Sequence, residues 1–301
     1  MIFYFSCYEY NDFFYFDELF SICNLFTFFI LNSLRFKPQA IEKTKNTSNK
    51  YTTMPKTIDL NCDMGEGFDT DAMIMPYISS VNIACGFHAG DESTIQRTIE
   101  LALKHNVAIG AHPSYPDKEN FGRKEMDMNE NDVFNMVSTQ IQLVKSIAEK
   151  MGTKIHHVKP HGALYNTAAV KPELASVIVT AIKSIDENLI LYGLPNSELE
   201  KAALKDGVRF AAEVFSDRTY TDEGRLTPRT AANAMIVDAD DSIHQVLQMI
   251  NDGTILSTNR KIIQIKADTI CIHGDGAHAV EFAEKISVSL NNNNILIQPI
   301  K

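Results

Sequence analysis

The sequence predicts an α/β fold in which a parallel sheet covered by helices closes into a (β/α) barrel. Three observations carry this. From residue 57 onward, short β-rich runs alternate with longer stretches of helical periodicity, the pattern of repeated strand–helix units. The 247 residues from 55 to 301 are the usual size of such a barrel. Polar residues suited to chemistry recur at or just after the ends of the apolar runs, where parallel α/β folds bind ligands. A doubly wound sheet would show the same periodicity, because connection order is not visible in it. No repeat of fixed period points to a solenoid.

Strands are expected at 57–61, 81–85, 107–111, 155–158, 189–192, 209–214 and 269–272. Helical patterns separate them at 92–105, 130–151, 172–185, 198–205, 241–251 and 277–290. The steps Asn106-Val107 and Gly207-Val208 read as helix stops that feed the next strand.

The first 54 residues are a different kind of sequence. They hold 15 of the 27 Phe and Tyr residues. No Lys or Arg precedes Arg35, which argues against a secretory signal, and the acids among them argue against a transit peptide. The most apolar stretch, 19–31, is shorter than the roughly 20 residues a bilayer span needs. The expectation is a disordered or spuriously included aromatic-rich leader, with Met54-Pro55 as the true start and residues 55–301 as one catalytic domain. Five acids and five bases cancel within 1–54, so the whole formal charge of −10 lies on 55–301. An acidic body without a Lys/Arg cluster excludes nucleic acid and an anionic membrane surface as partners.

Within the first strand run, Asp59, Asn61 and Asp63 share one face, since side chains alternate along a strand. Three polar groups on a sheltered face would be costly unless they bond one another or serve a site. Glu66 follows in the loop. His88, His112, His161 and His273 each close an apolar run and precede small or turn-forming residues that let a ligand approach the backbone. His156 and His157 face opposite ways in a strand run and receive no role. After the sixth run come Glu213, Asp217, Arg218 and Arg229, with Lys159 beside His161. Arg is the natural fork for a carboxylate or phosphate.

Together these groups suit acid–base or metal-assisted hydrolysis. Asp63 with His88 and His112 could hold a divalent ion that lowers the pKa of a bound water. Without a metal, Asp63 or Asp59 would be the base and a His would polarise the carbonyl. The run Gly274-Asp275-Gly276-Ala277-His278-Ala279 imitates a dinucleotide fingerprint, but no acid follows about 20 residues on and no βαβ half remains. Cys62, Cys85 and Cys271 are isolated thiols that suit small core positions in a reducing, cytoplasmic compartment. Cys271 shares a face with His273, which is weak support for a Cys–His nucleophile.

The motifs Asp59-Leu60-Asn61-Cys62-Asp63-Met64-Gly65-Glu66, Asn82-Ile83-Ala84-Cys85-Gly86-Phe87-His88-Ala89-Gly90-Asp91 and Ala111-His112-Pro113-Ser114-Tyr115-Pro116-Asp117 stand in order along the chain. Lys159-Pro160-His161-Gly162-Ala163-Leu164-Tyr165-Asn166, Glu213-Val214-Phe215-Ser216-Asp217-Arg218 and His273-Gly274-Asp275 follow them. With them the chain strongly resembles the LamB/YcsF family, A subunits of an ATP-dependent 5-oxoprolinase, from about residue 57 to 290. The resemblance implies an irregular seven-stranded (β/α) barrel related to glycoside hydrolase and deacetylase folds. It implies hydrolytic opening of 5-oxo-L-proline to L-glutamate, with ATP as co-substrate and separate B and C subunits as partners. On that reading Asp59, Asp63, His88 and His112 surround the attacking water, Lys159, His161 and Arg218 lie near the carboxylate or phosphate, and Asp275 orients His273. Asn61, Glu66, Glu213, Asp217 and Arg229 complete the substrate site. The competing readings are a stand-alone metal-dependent deacetylase or amidohydrolase and a non-catalytic lactam-binding subunit.

Overall fold

The computed structural model describes residues 55–274 and 278–301. The expectation of a leader at 1–54 falls outside them, as does Asp275.

The strands β1 (Lys56–Met64), β2 (Ser80–Ala84), β3 (Ala108–His112), β4 (His157–Val158), β5 (Ile190–Gly193) and β6 (Arg209–Phe215) pair in that order, all parallel. A two-stranded antiparallel hairpin follows, β7 (Thr254–Leu256) with β8 (Ile262–Gln264). The barrel closes through β9 (Thr269–Ile272), which pairs with β6 on one side and β1 on the other. Seven parallel strands therefore form a closed (β/α) barrel, not a doubly wound sheet. A last short strand, β10 (Ile295–Ile297), adds to the amino end of β1 outside the closure.

The helices are α1 (Asp71–Ile74), α2 (Glu92–His105), α3 (Glu130–Lys150), α4 (Gly162–Ala168), α5 (Pro172–Ile185), α6 (Glu198–Asp206), α7 (Ala239–Asp252) and α8 (Ala279–Asn292). Their starts and stops have local causes. Asp91, Asn129, Ser197 and Asp238 accept a backbone N–H from the first turns of α2, α3, α6 and α7, as N-caps should. Asn106 and Gly207 end α2 and α6 in the left-handed conformation, at the stops expected from sequence. Leu60 and Cys62 of β1, Val81 and Ile83 of β2 and the apolar faces of the helices form the main apolar core. No helix of the described residues is long and apolar enough to cross a membrane.

The barrel interior is polar. Asn61 donates to Thr269 Oγ1 at 2.7 Å, Asn82 donates to Asn61 Oδ1 at 2.7 Å, and His157 Nε2 donates to Asn82 Oδ1 at 2.8 Å. The His157 ring stacks on Tyr192 at 4.1 Å. Burial holds His157 well below the ordinary histidine pKa, so the ring enters this network neutral. Its place depends on Gly110, its register partner on β3. A Cβ there would lie 2.2 Å from His157 Nε2 and 2.3 Å from Cδ2, and the ring cannot retreat between Asn82 and Tyr192. Gly110→Ala is therefore expected to destabilise the barrel by about 3 kcal/mol. A urea midpoint equal to that of the unsubstituted protein would refute this packing.

Candidate active site

The carboxyl ends of the strands deliver the polar side chains to one mouth. Asp63 lies near the end of β1, with Glu66 in the loop behind it. His88 follows β2, His112 ends β3, Lys159 and His161 follow β4, Asp217 and Arg218 follow β6, and His273 follows β9. Some of them line a cavity of about 540 Å³, whose walls include Asp63, His112, Tyr165, Phe215 and His273 together with five cationic side chains. The cations are Arg123, Lys159, Arg218, Arg225 and Arg229, and Asp63 is the one carboxylate among the described lining residues.

In the cavity wall, the Lys159 ammonium is held 2.8 Å from Asp63 Oδ1, 2.8 Å from Glu213 Oε1, 3.1 Å from Cys271 Sγ and 3.3 Å from Asn61 Oδ1. Burial alone would favour the neutral amine, but the two carboxylates override it and hold the Lys159 pKa well above its ordinary value. Asp63 is likewise desolvated, yet His112 and Lys159 keep its carboxyl well below 3.8. Its Oδ1 also accepts from Asn82 at 2.8 Å, and its Oδ2 lies 3.3 Å from His112 Nε2. The three N–H donors of Lys159 are spent inside the protein. Lys159, expected from sequence near a substrate carboxylate or phosphate, is thus bonded to Asp63 in this structure.

Three imidazoles stand beside Asp63. His88 Nε2 lies 3.0 Å from Glu66 Oε1 and its Nδ1 lies 2.8 Å from Ser114 Oγ. His112 Nδ1 donates to the Lys159 carbonyl at 2.7 Å, and His161 Nε2 donates to the Phe121 carbonyl at 2.8 Å. His112 Nε2 and His161 Nδ1 are 2.9 Å apart. Burial is the main reason that His88 falls to about 3 and His161 falls well below 6.5. Gly122 makes room for the group, since a Cβ there would lie 2.9 Å from His161 Cδ2 and 3.0 Å from His88 Cβ.

Across the mouth, His273 Nδ1 lies 2.8 Å from Asp217 Oδ1, and Arg229 Nη2 donates to His273 Nε2 at 3.0 Å. Asp217 thus occupies the orienting position that sequence reasoning gave to Asp275, which is not among the described residues. Burial raises the Asp217 carboxyl, but His273 and the neighbouring Arg218 and Arg229 outweigh it and leave it below 3.8. Arg218 is buried and braces the following loop, donating to the carbonyls of Thr227 at 2.6 Å and Ala234 at 3.3 Å.

Asp59 requires a correction. It shares a face with Asp63, as the strand period demands, but sits four residues lower, roughly 13 Å at a strand's rise per residue. Ser79, Ser80 and Thr269 donate to it at 2.6, 2.7 and 2.6 Å. Burial raises its carboxyl above 3.8 in this barrel floor. It does not reach the cavity. Sequence reasoning also gave no role to Arg123 or Ser114, which lie in loops with no periodic signal. The one cue to Arg123 is the turn Phe121-Gly122, where both residues have positive φ.

Metal ligation is compatible with the donor chemistry here: Glu66, His88, His112 and His161 each offer one donor atom, all within 4.8 Å of one another. Asp63, Cys271 and His273 make a second such group, but Lys159 already supplies a cation to two of its members.

Lys159→Met would strand Asp63 and Glu213 as unpaired buried carboxylates and is expected to cost about 3–5 kcal/mol near neutral pH. The sign with pH follows from the carboxyls. In the native protein the lowered Asp63 contributes stability above pH 3.8 that is lost as pH falls below it. In the variant Asp63 keeps its burial but loses the ammonium, so protonation relieves part of the cost and stability is expected to grow as pH falls from neutrality toward 4. Denaturant titrations across that range should show the gap between the two proteins narrowing on acidification; a constant gap would contradict the pairing.

The LamB/YcsF family model matches residues 58–301. The 5-oxoprolinase A subunit of Bacillus cereus is 49% identical over 247 residues, covering 80% of this chain and 98% of the relative. The protein of the same name from Brevibacillus brevis is also 49% identical, with 97% of its length covered. Among solved structures, the lactam utilization protein of Thermus thermophilus superposes with a TM-score of 0.77 at 36% identity, covering 81% of this chain and 100% of that one.

Proposed function

Because the chain belongs to the LamB/YcsF family, we propose that it is the A subunit of an ATP-dependent 5-oxoprolinase, a hydrolase that opens 5-oxo-L-proline to L-glutamate together with B and C subunits. The carrying observation is the cavity itself: four arginines around a single carboxylate that Lys159 already neutralises, in a protein of formal charge −10. Such a mouth suits a small substrate with more than one anionic group.

An unstrained five-membered lactam is a poor electrophile, since amide resonance is intact. ATP as co-substrate of the assembly would phosphorylate the lactam oxygen, leaving an imidate carbon open to water. The substrate would then carry a carboxylate and a phosphate, for which Arg123, Arg218, Arg225 and Arg229 are the matching cations. Asp63, held ionised by Lys159, takes the proton of the attacking water, with His112 beside it. The ring nitrogen must be protonated for the C–N bond to break in preference to loss of phosphate. His273, held between Asp217 and Arg229, would serve that nitrogen once its Nε2 exchanges the Arg229 N–H for a proton, and the resulting acyl phosphate hydrolyses to glutamate. Glu66, His88 and His161 hold the water's side of the site, and Asn61 and Glu213 hold Lys159. Asp59 has no part in this scheme.

The test is glutamate release from 5-oxoproline and ATP by the assembled A, B and C subunits. Asp63→Asn is expected to lower kcat/KM by about 10³-fold. Arg229→Gln should raise KM about tenfold with a smaller effect on kcat. Full turnover by the Asp63 variant, or glutamate release that does not require this chain, would end the proposal.

A further inference from the structure

His112 and His161 each turn one ring nitrogen toward the other, and the remaining nitrogen of each is tied to a backbone carbonyl. His112 Nδ1 is bonded to the carbonyl oxygen of Lys159 and His161 Nε2 to that of Phe121. A carbonyl can only accept, so each of those nitrogens carries an N–H, which leaves the other nitrogen of each ring to serve either as a metal donor or as one end of a shared proton. Those other nitrogens, His112 Nε2 and His161 Nδ1, are 2.9 Å apart. Glu66 Oε1 lies 3.5 Å from the second and 3.9 Å from the first, and Asp63 Oδ2 lies 3.3 Å from the first. Acceptors at these separations repel unless positive charge lies between them.

His88 is different. Its Nε2 lies 3.0 Å from Glu66 Oε1, a carboxylate oxygen that can only accept and so calls for an N–H there, while its Nδ1 faces the Ser114 hydroxyl, which also lies 2.9 Å from the Tyr115 carbonyl. Its ring also stacks on that of His161 at 3.8 Å and 5°. One ion cannot lie in the planes of two parallel rings, so His88 and His161 do not both ligate.

We propose that Glu66, His112 and His161 bind one divalent transition ion, with His88 as the positioning residue for Glu66. Donors about 2.0–2.2 Å from a tetrahedral ion are roughly 3.3–3.5 Å from one another. The three separations here, 2.9, 3.5 and 3.9 Å, bracket that value. Both ligand imidazoles have their remote N–H on a backbone carbonyl, the outer arrangement that fixes a metal-binding tautomer. Two imidazoles and a carboxylate suit zinc, manganese or ferrous iron better than magnesium or calcium. Three protein ligands would leave an open position, and an ion held there would lower the pKa of a water. Asp63 Oδ2 lies beside His112, 3.3 Å from its Nε2, and outside this set. The set replaces the Asp63–His88–His112 group expected from sequence.

The inference does not depend on the lactam reading, and neither does its test. The full chain is stripped with a chelator, then titrated separately with zinc, manganese and cobalt, with ions per chain counted by elemental analysis and thermal midpoints recorded. One ion per chain is expected, with a raised midpoint and a visible cobalt spectrum of a four-coordinate N/O site. Glu66→Gln and His161→Gln should each weaken binding by about 100-fold and lose that spectrum, and His88→Gln should weaken it by about tenfold. Circular dichroism identifies variants that fold, and having the loop residue Glu66 beside His161 keeps one informative variant if the other does not. Folded protein that binds less than one ion per chain overturns the proposal and leaves a proton shared between His112 and His161. Binding that survives both substitutions overturns it equally.

Discussion

The Lys159 ammonium, buried between Asp63 and Glu213, is the interaction on which the site depends. Three strands are drawn together by it: Asp63 comes from β1, Glu213 from β6, and Lys159 from just beyond β4. Desolvating three charges is expensive, and a buried ion pair is weak evidence for stability as such. What the arrangement achieves is position and charge state. Asp63 is kept ionised at the carboxyl end of the barrel, within 3.3 Å of His112, although burial opposes its charge.

Around that ion cluster the barrel interior divides by height. The floor is an acceptor, Asp59, enclosed by hydroxyls from β9 and the start of β2. The middle is an amide and imidazole layer, in which Asn61, Asn82 and His157 bond in series above Tyr192. The mouth carries the charges and the remaining histidines. A polar barrel core is tolerable because nearly every member is satisfied by a neighbour, and a satisfied network also specifies one register. Glu213 is met chiefly by charge, with the Lys159 ammonium 2.8 Å from its Oε1 and the buried Tyr165 hydroxyl near it. The same parallel strand direction sends every polar residue that follows a strand to one end, which is why loops from β1, β2, β3, β4, β6 and β9 meet there.

The barrel strands and six of the helices were legible in the sequence because each buries one face with a regular period. The observed α2 and α5 begin and end where their periodicity does, and the others differ by one or two residues. The short α4, the hairpin β7–β8 and the strand β10 were not legible. Each is only a few residues long, and what sets them is contact with distant parts: Ala163 N bonds to the Gly122 carbonyl, and β10 exists by pairing with β1. Among site residues, strand parity put Asp59, Asn61 and Asp63 on one face, and the ends of apolar runs marked His88, His112, His161 and His273.

The sequence by itself therefore determined the fold class, the family and the end of the barrel at which the polar residues gather, because period, direction and motif order are local properties of a chain. Which of those residues meet was decided only by the tertiary structure. Asp59 and Asp63 are indistinguishable by parity, yet hydroxyls from β9 and the start of β2 enclose one while an ammonium from beyond β4 holds the other. Asp217 finds His273 across 56 residues, and His112 and His161 turn their nitrogens together across 49. Ring tautomers and charge states follow from such partners, and partners distant in the chain are set by strand register and closure, which no local pattern encodes.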